Sequence, residues 1–187
     1  MCVILASASP RRQELLKQIF EEFIICPAQM EEVVPDSLPV ADCPAYLATE
    51  KAKRVAAMYP DALVIGSDTA VILDDAMLGK PTDASDAVAM LSALSGQTHQ
   101  VITGCCLIYG GRVHAFREVT DVKFKNLTAG EIAEYVATGE CFDKAGAYAI
   151  QGLGGALVAA IDGDFDNVVG LPVKRLWEEL RHFGGIS

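Results

Sequence analysis

The sequence contains 187 residues, of which 51% are hydrophobic and 21% are charged, and its formal net charge is −10. This length and composition are typical of one globular domain over residues 1–187 and exclude a disordered chain. The negative charge argues against a nucleic-acid partner, and no apolar run reaches the roughly 18 residues of a membrane-spanning helix. Six scattered cysteines without a C-x-x-C pair predict free thiols and a cytoplasmic location.

The first half of the chain alternates predicted strands and helices. Ser9 followed by Pro10 indicates a helix start, and Gly96 indicates a helix end. The predicted elements are a strand at residues 2–7, a helix that starts at Pro10, a strand at 23–26, a helix from about Cys43 to Tyr59, a strand at 63–65 that ends at residues 66–69, and a helix with Ala87, Met90, Leu91 and Leu94 on its apolar side.

The second half is predicted to be richer in strands. Two long β segments between His99 and Phe124 flank Gly110-Gly111, which indicates a hairpin. Thr128 and Glu131 form a capping-box pattern for the helix that follows. Further elements are a glycine-rich strand region at 147–169 and a last helix opened by Pro172, with Val173, Leu176, Trp177 and Leu180 inward. The sum is an α/β fold with a mixed sheet and flanking helices.

The segment Ser7-Ala8-Ser9-Pro10-Arg11-Arg12 joins the first predicted strand to a helix N-terminus. That geometry offers backbone N–H groups to an anion. Two arginines in the first turn oppose the helix dipole, and a bound phosphate would explain their placement. The alternative is a solvated basic pair.

Asp68 follows the apolar strand Leu63–Ile65 directly. The carboxyl end of a strand is where α/β proteins gather catalytic groups, so Asp68 is a candidate metal ligand or general base. An Asx-turn is the alternative. Glu31 and Glu32 lie on a polar loop, where they form either a second oxygen ligand for magnesium or a solvated acidic loop.

Single lysines occur at positions 51 and 80, near the ends of predicted elements, and surface exposure is the default interpretation for each. The three histidines are spread along the chain without a partner spacing. A histidine metal site or a Ser/His/Asp triad therefore has little support.

An ordered set of motifs covers residues 3 to 180 and resembles the Maf family. Any one of them is weak alone, but their order is specific. The motifs are Leu5 to Arg12 (LASASPRR), Glu50-Lys51-Ala52, Gly66-Ser67-Asp68-Thr69, Gly79-Lys80-Pro81, residues 95–99 (SGQTH), residues 143–148 (DKAGAY), Ile150-Gln151-Gly152 and residues 167–172 (NVVGLP).

The resemblance implies a nucleoside triphosphate pyrophosphatase that requires a divalent cation, Mg²⁺ or Mn²⁺. It also implies a fold like that of the inosine triphosphate pyrophosphatases, with two lobes around a cleft, and it suggests a homodimer. The catalytic carboxylate carries over onto Asp68, with Glu32 as a second metal ligand. The positions associated with the phosphates are Ser7, Arg12, Lys51 and Lys80.

Three positions bear on which nucleotide base the resemblance implies for the substrate. Arg11, Thr69 and Gln151 match the subgroup that acts on dTTP and UTP, whereas the 7-methyl-GTP subgroup has an aromatic residue after the proline of the first motif. Two alternatives remain: a pyrophosphatase for 7-methyl-GTP or an inosine-type purine, and a nucleotide-binding regulator of septum formation in cell division.

The expected chemistry is attack by water on the α-phosphorus, with pyrophosphate as the leaving group. Asp68 would bind the metal, activate the water, or do both. Arg12, Lys51 and Lys80 would stabilise charge on the departing pyrophosphate. The side chains of Gln151 and Thr69 can donate and accept hydrogen bonds, which suits a pyrimidine edge.

Overall fold

The computed structural model describes residues 1–184. Its regular elements are the strands β1 (Val3–Leu5), β2 (Ile24–Ile25), β3 (Leu63–Leu73), β4 (Ala76–Leu78), β5 (Thr98–Tyr109), β6 (Arg112–Phe124) and β7 (Val158–Asp162), and the helices α1 (Pro10–Leu16), α2 (Cys43–Ala56), α3 (Ala84–Leu94), α4 (Ala129–Ala137), α5 (Phe165–Val169) and α6 (Val173–Gly184). Short 3₁₀ helices occupy Val40–Asp42, Ala145–Ala147 and Leu153–Leu157.

The strands form a mixed sheet in the order β2-β1-β3-β5-β6-β7, and β4 pairs with β3. Both neighbours of β1 run parallel to it, whereas β4 and β7 are antiparallel to their partners. The prediction of an α/β fold with a mixed sheet and flanking helices is confirmed.

The chain divides into two compact units. Within the described residues, the first comprises residues 1–69, 103–118 and 170–184, and the second comprises residues 70–102 and 119–169. A core cluster of the first unit packs β1 and β3 against α2, with Ile4, Val64 and Val55 fully buried. The second unit has its own core, in which Leu91 of α3 and Phe124 of β6 are buried.

Local signals for turns and caps give the expected structure. Ser9 caps α1 with Pro10 as its first residue, and Thr128 with Glu131 forms the capping box of α4. The β5–β6 hairpin turns at Gly110 and Gly111, which both have positive φ, a conformation that glycine adopts at little cost.

Five predicted elements differ from the structure. The strand predicted at residues 2–7 is limited to Val3–Leu5. Residues 147–169 contain the 3₁₀ segment Leu153–Leu157 and α5, and only Val158–Asp162 is a strand. Glycines in this region allow close backbone packing rather than a strand ladder. Helix α2 stops at Ala56, short of the predicted end at Tyr59, and the strand predicted at 23–26 is limited to Ile24–Ile25. Strand β3 continues to Leu73 and does not end at residues 66–69.

Trp177 was predicted to face inward, but it is 40% exposed. The buried residues of α6 are Leu176, Leu180 and Phe183, which recur at i, i+4 and i+7. Trp177 is one residue beyond Leu176 and is rotated about 100° away from this apolar stripe. Within residues 1–184, no helix combines the length and the apolar character needed to cross a membrane.

Candidate active site around Asp68

Strand β3 directs neighbouring residues to opposite faces of the sheet, because side chains along a strand alternate. Gly66 and Asp68 face α2, where the Asp68 carboxylate meets Lys51. Ser67 and Thr69 bond to groups on other segments. Asp68 therefore lies within β3 and not beyond its end, which corrects the expected position.

Two glycines let α2 approach the sheet closely. A Cβ added at Gly66 would lie 2.1 Å from the carbonyl oxygen of Ala48, and one at Gly104 would lie 2.1 Å from the backbone nitrogen of Ala45. Neither glycine could carry a side chain without moving the helix. Because Lys51 lies one turn beyond Ala48, this close packing brings its side chain to Asp68.

Lys51 links two carboxylates. Its Nζ lies 2.6 Å from Asp68 Oδ1 and 2.7 Å from Glu32 Oε1. The side chains of Lys51 and Asp68 are only 12% and 14% exposed, whereas Glu32 is 55% exposed. One part-buried ammonium thus holds a part-buried carboxylate and a more accessible one.

The electrostatics of Asp68 favour a reactive carboxylate. Burial raises its pKa above the ordinary value, and the charge and hydrogen bond of Lys51 and the nearby Arg12 guanidinium oppose this rise. The balance leaves a carboxylate that is more basic than a solvated aspartate but stabilised in its ionised form by adjacent cations. Perturbed groups of this kind concentrate at functional sites.

The guanidinium of Arg12 in α1 donates hydrogen bonds to three other segments of the first unit. Its Nε donates to the carbonyl oxygen of Gly170 at 2.8 Å, Nη1 donates to Ser7 Oγ at 3.2 Å, and Nη2 donates to Thr69 Oγ1 at 3.0 Å. Burial lowers the pKa of Arg12, while Asp68 acts in the opposite direction. The basic residue expected to bind phosphate therefore also has a structural task.

Two backbone donors at the start of α1 are already engaged within the loop. The N–H of Ser9 donates to Ser7 Oγ at 3.3 Å, and the N–H of Arg12 donates to Ser9 Oγ at 3.5 Å. The phosphate-binding role of this loop stays a prediction.

The donor set around Asp68 suits a divalent cation that arrives with a phosphate ligand. Glu32 and Asp68 converge on one positive charge, and Mg²⁺ is commonly held by one or two carboxylates together with substrate phosphates. No group of three or more histidine, cysteine, aspartate or glutamate residues that could hold a metal occurs in residues 1–184. The residues present therefore fit a cation shared with the substrate better than a closed all-protein site.

The predicted site residues divide between the two units. The first unit contains Arg11 and the two contacting groups just described, Ser7 with Arg12 and Thr69, and Lys51 with Glu32 and Asp68. Arg11 is half-buried beside Arg12. Lys80 and Gln151 belong to the second unit, where both are exposed.

Sequence reasoning missed the roles of Ser67, Thr103 and Gly170. Ser67 donates to the carbonyl oxygen of Gly170 at 3.1 Å, so that oxygen receives two hydrogen bonds, and Thr103 Oγ1 lies 2.9 Å from Thr69 Oγ1. A polar threonine inside the apolar run of β5 is the one signal that could have indicated Thr103. Nearby Cys105 is no nucleophile, because burial raises its pKa to about 12.

These features define an α/β protein with a part-buried carboxylate on one strand of a mixed sheet and cations from two helices near it. The fold is similar to that of a HAM1 protein from Coxiella burnetii, with a TM-score of 0.50, 17% identity, and coverage of 97% of this chain and 100% of the other. It is also similar to the Ham1 protein of Staphylococcus aureus, with a TM-score of 0.50, 11% identity, and coverage of 67% and 73%.

The family model described as "Maf-like protein" matches residues 2–183, and the chain belongs to this family. Proteins named dTTP/UTP pyrophosphatase are similar to it along nearly their whole length. That of Agathobacter rectalis is 46% identical and covers 97% of each chain, and that of Moorella thermoacetica is 48% identical and covers 97% of this chain and 95% of its own. The protein of Carboxydothermus hydrogenoformans is 47% identical, with coverage of 98% and 100%.

Proposed function

We propose that this chain hydrolyses dTTP and UTP to the nucleoside monophosphate and pyrophosphate, with Asp68 at the catalytic centre. The observation that carries the proposal is the pair of carboxylates, Asp68 and Glu32, held by the single ammonium of Lys51. The shared name of relatives that are 46–48% identical over nearly the whole of both chains supports the reaction and the pyrimidine preference.

Asp68 is the general base in this proposal. It accepts a proton from the water that attacks the α-phosphorus, and the new P–O bond forms as the bond to the bridging oxygen breaks. Pyrophosphate leaves with the electron pair of the broken bond. The raised pKa of Asp68 strengthens it as a base, and Lys51 keeps it ionised before the reaction.

Lys51 and Arg12 retain donors for phosphate oxygens. An ammonium has three N–H groups, of which Lys51 directs two at Asp68 and Glu32. A guanidinium has five, of which Arg12 uses three on Gly170, Ser7 and Thr69. Preorganised cations that still carry unused donors stabilise the negative charge that develops on the leaving group.

A divalent cation, Mg²⁺ or Mn²⁺, held by Glu32 and Asp68, would neutralise phosphate charge and acidify a bound water. Lys80 of the second unit is proposed as a further phosphate-binding residue. This assignment rests on the motif Gly79-Lys80-Pro81 and on the exposure of Lys80.

Base recognition is assigned to Arg11, Thr69 and Gln151. The exposed amide of Gln151 can donate and accept hydrogen bonds, as the edge of uracil or thymine requires. The Thr69 hydroxyl already bonds to Arg12 and Thr103, so it acts mainly by fixing the arginine.

We further propose that the protein is cytoplasmic, because all six cysteines are free. Removal of unwanted pyrimidine nucleotides is proposed as its role on the strength of the pyrimidine preference alone. A homodimer and the lack of a nucleic-acid partner stay predictions.

The test is pyrophosphate release from dTTP, UTP, CTP, 7-methyl-GTP, ITP and GTP, with magnesium, manganese or chelator. The variant is Asp68→Asn, and its matched control is Asp61→Asn, an exposed aspartate in the turn before β3. Cation-dependent release mainly from dTTP and UTP, lost in Asp68→Asn alone, supports the proposal. A preference for a purine nucleotide would contradict the base assignment, and nucleotide binding without turnover would contradict the enzyme.

A further inference from the structure

The loop of residues 149–154 in the second unit is held by two side chains from helix α4 and the residues after it. The N–H of Ala149 donates to Tyr135 Oη at 3.2 Å, and Tyr135 Oη in turn donates to Glu140 Oε2 at 2.9 Å. At the other end, the N–H of Leu153 donates to Glu140 Oε1 at 3.1 Å and that of Gly154 donates to Oε2 at 3.0 Å. Tyr135 of α4 therefore holds the Ala149 end of the loop, and Glu140, which follows the helix, holds the Leu153–Gly154 end.

The glycines of the loop make room for this carboxylate. A Cβ at Gly152 would lie 1.8 Å from Glu140 Oε1, and a Cβ at Gly154 would lie 2.7 Å from Tyr135 Oη. Any side chain at either position would expel the carboxylate or the hydroxyl. The glycine-rich sequence, which gives no strand here, thus serves the packing of the loop onto Glu140 and Tyr135.

The protonation states of Glu140 and Tyr135 at neutral pH favour the hydrogen bonds that hold the loop. Burial opposes the charge of Glu140, but the hydrogen bonds from Gly154, Tyr135 and Leu153 outweigh it and lower its pKa. Burial, together with donation to Glu140, raises the pKa of Tyr135. At neutral pH the carboxylate is ionised and the phenol is protonated, so the contacts are charge-assisted hydrogen bonds.

Gln151 lies on this loop between the two tethered ends, and its side chain is exposed. We propose that Glu140 and Tyr135 are positioning residues that set base selectivity by holding the loop that carries Gln151. The inference rests on the proposed function, and it adds two residues that do not touch the substrate.

A fixed loop matters because of the chemistry of the bases. Uracil and thymine present an N–H donor beside a carbonyl acceptor, whereas cytosine presents an unprotonated ring nitrogen beside an amino donor. A glutamine side-chain amide can complement either pattern by a flip that exchanges the positions of its oxygen and its nitrogen. It therefore discriminates between the bases only when its position and orientation are restricted. Releasing the loop therefore lowers selectivity more than it lowers the rate of the chemical step.

The experiment compares Glu140→Gln and Tyr135→Phe with the matched control Glu134→Gln, an exposed carboxylate on the same helix. The full chain is assayed for kcat and KM with UTP, dTTP and CTP, and amide hydrogen exchange of residues 149–154 is measured in each protein. We expect KM for dTTP and UTP to rise about tenfold in both variants while kcat changes less than about threefold. The preference for dTTP over CTP falls, exchange in the loop accelerates, and Glu134→Gln matches the wild type.

An unchanged ratio of kcat/KM between dTTP and CTP in both variants, with faster loop exchange, would overturn the inference but leave the proposed function intact. Equal losses of kcat for all three nucleotides would also overturn it, since that pattern indicates a general structural defect. A wild-type chain that hydrolyses none of the three nucleotides would contradict the proposed function, and the inference with it.

Discussion

Asp68 illustrates a conflict between stability and function at one residue. Its pKa is raised by burial, so ionisation is less favourable in the folded chain than in the unfolded chain, where the ordinary value is about 3.8. The folded state therefore holds the proton more tightly, and stability falls as pH rises from about 3.8 through the folded pKa. At neutral pH the ionised Asp68 works against the fold.

We therefore expect Asp68→Asn to lower turnover by about 10²–10⁴-fold and to leave stability at pH 7 unchanged or increased. Urea unfolding of the wild type and the variant between pH 4 and pH 8 measures the second effect. The difference between the two proteins should grow in favour of the variant as pH rises. A variant that becomes relatively less stable with rising pH would contradict the assigned direction.

Lys51 is the cation that keeps Asp68 ionised, since its Nζ lies 2.6 Å away and its side chain is only 12% exposed. In Lys51→Met the carboxylate loses this partner, so its pKa rises further and the acid limb of the pH profile of kcat/KM moves to higher pH. Activity at pH 7 should fall by at least about tenfold. Lys53→Met is the control on the same helix, because Lys53 is 54% exposed. An acid limb at the same pH in Lys51→Met would show that this lysine does not govern Asp68.

Helix α2 is the element that places Lys51 beside Asp68 of β3. In Gly66→Ala the new Cβ would meet the carbonyl of Ala48, and the helix must shift outward. We expect a loss of about 1–3 kcal/mol in unfolding free energy, from overpacking, and a loss of activity as Lys51 moves from Asp68. Thermal unfolding and steady-state kinetics measure both effects.

The control for this substitution is Gly130→Ala. Gly130 lies in α4, and an added Cβ would meet nothing closer than 3.9 Å. Because alanine is the better helix former, this variant should be as stable as the wild type or slightly more stable. If Gly66→Ala were equally harmless, the close packing of α2 on β3 would not be what positions the lysine.

The same elements show how far sequence reasoning reaches. Periodicity and turn chemistry predict helices, the hairpin and the caps, because these depend on neighbouring residues. The pairing of Lys51 with Asp68 joins an α2 residue to a β3 residue, and it depends on the missing Cβ of Gly66. No local pattern contains that information. The resemblance to the family named both residues, but not the contact between them.

Residues 149–154 have a structural role that the sequence does not reveal. They belong to the region 147–169 for which the sequence predicts a glycine-rich strand, and in the structure Gly152 and Gly154 lie against Glu140 and Tyr135. The partner carboxylate lies more than ten positions earlier in the chain, so its role appears only once the chain is folded. Residues that position a loop are therefore harder to predict than residues that carry its chemistry.

At the scale of the whole molecule, acid stability depends on a buried histidine outside the site. His99 is 1% exposed and its Nε2 lies 2.8 Å from Tyr148 Oη, and burial lowers the pKa of His99 to about 4. The unfolded chain takes up this proton near pH 6.5, whereas the folded chain resists it until about pH 4. Stability is therefore full above about pH 6.5 and declines as pH falls toward 4.

We expect the free energy of unfolding of the wild type to fall by up to about 3 kcal/mol more than that of His99→Phe between pH 7 and pH 4. Phenylalanine keeps a ring beside Phe124 and leaves Tyr148 without its partner, a cost that is the same at both pH values. Chemical unfolding of both proteins at the two pH values gives the difference. A parallel decline in both proteins would assign acid sensitivity to other groups.

In the proposed reaction, water activated at Asp68 attacks the α-phosphorus of a pyrimidine nucleoside triphosphate. Hydrolysis of UTP in ¹⁸O-labelled water, followed by mass spectrometry of the products, shows which phosphorus is attacked. We expect UMP that carries one ¹⁸O atom and pyrophosphate that carries none. Labelled pyrophosphate with unlabelled UMP, or release of UDP and phosphate, would contradict it.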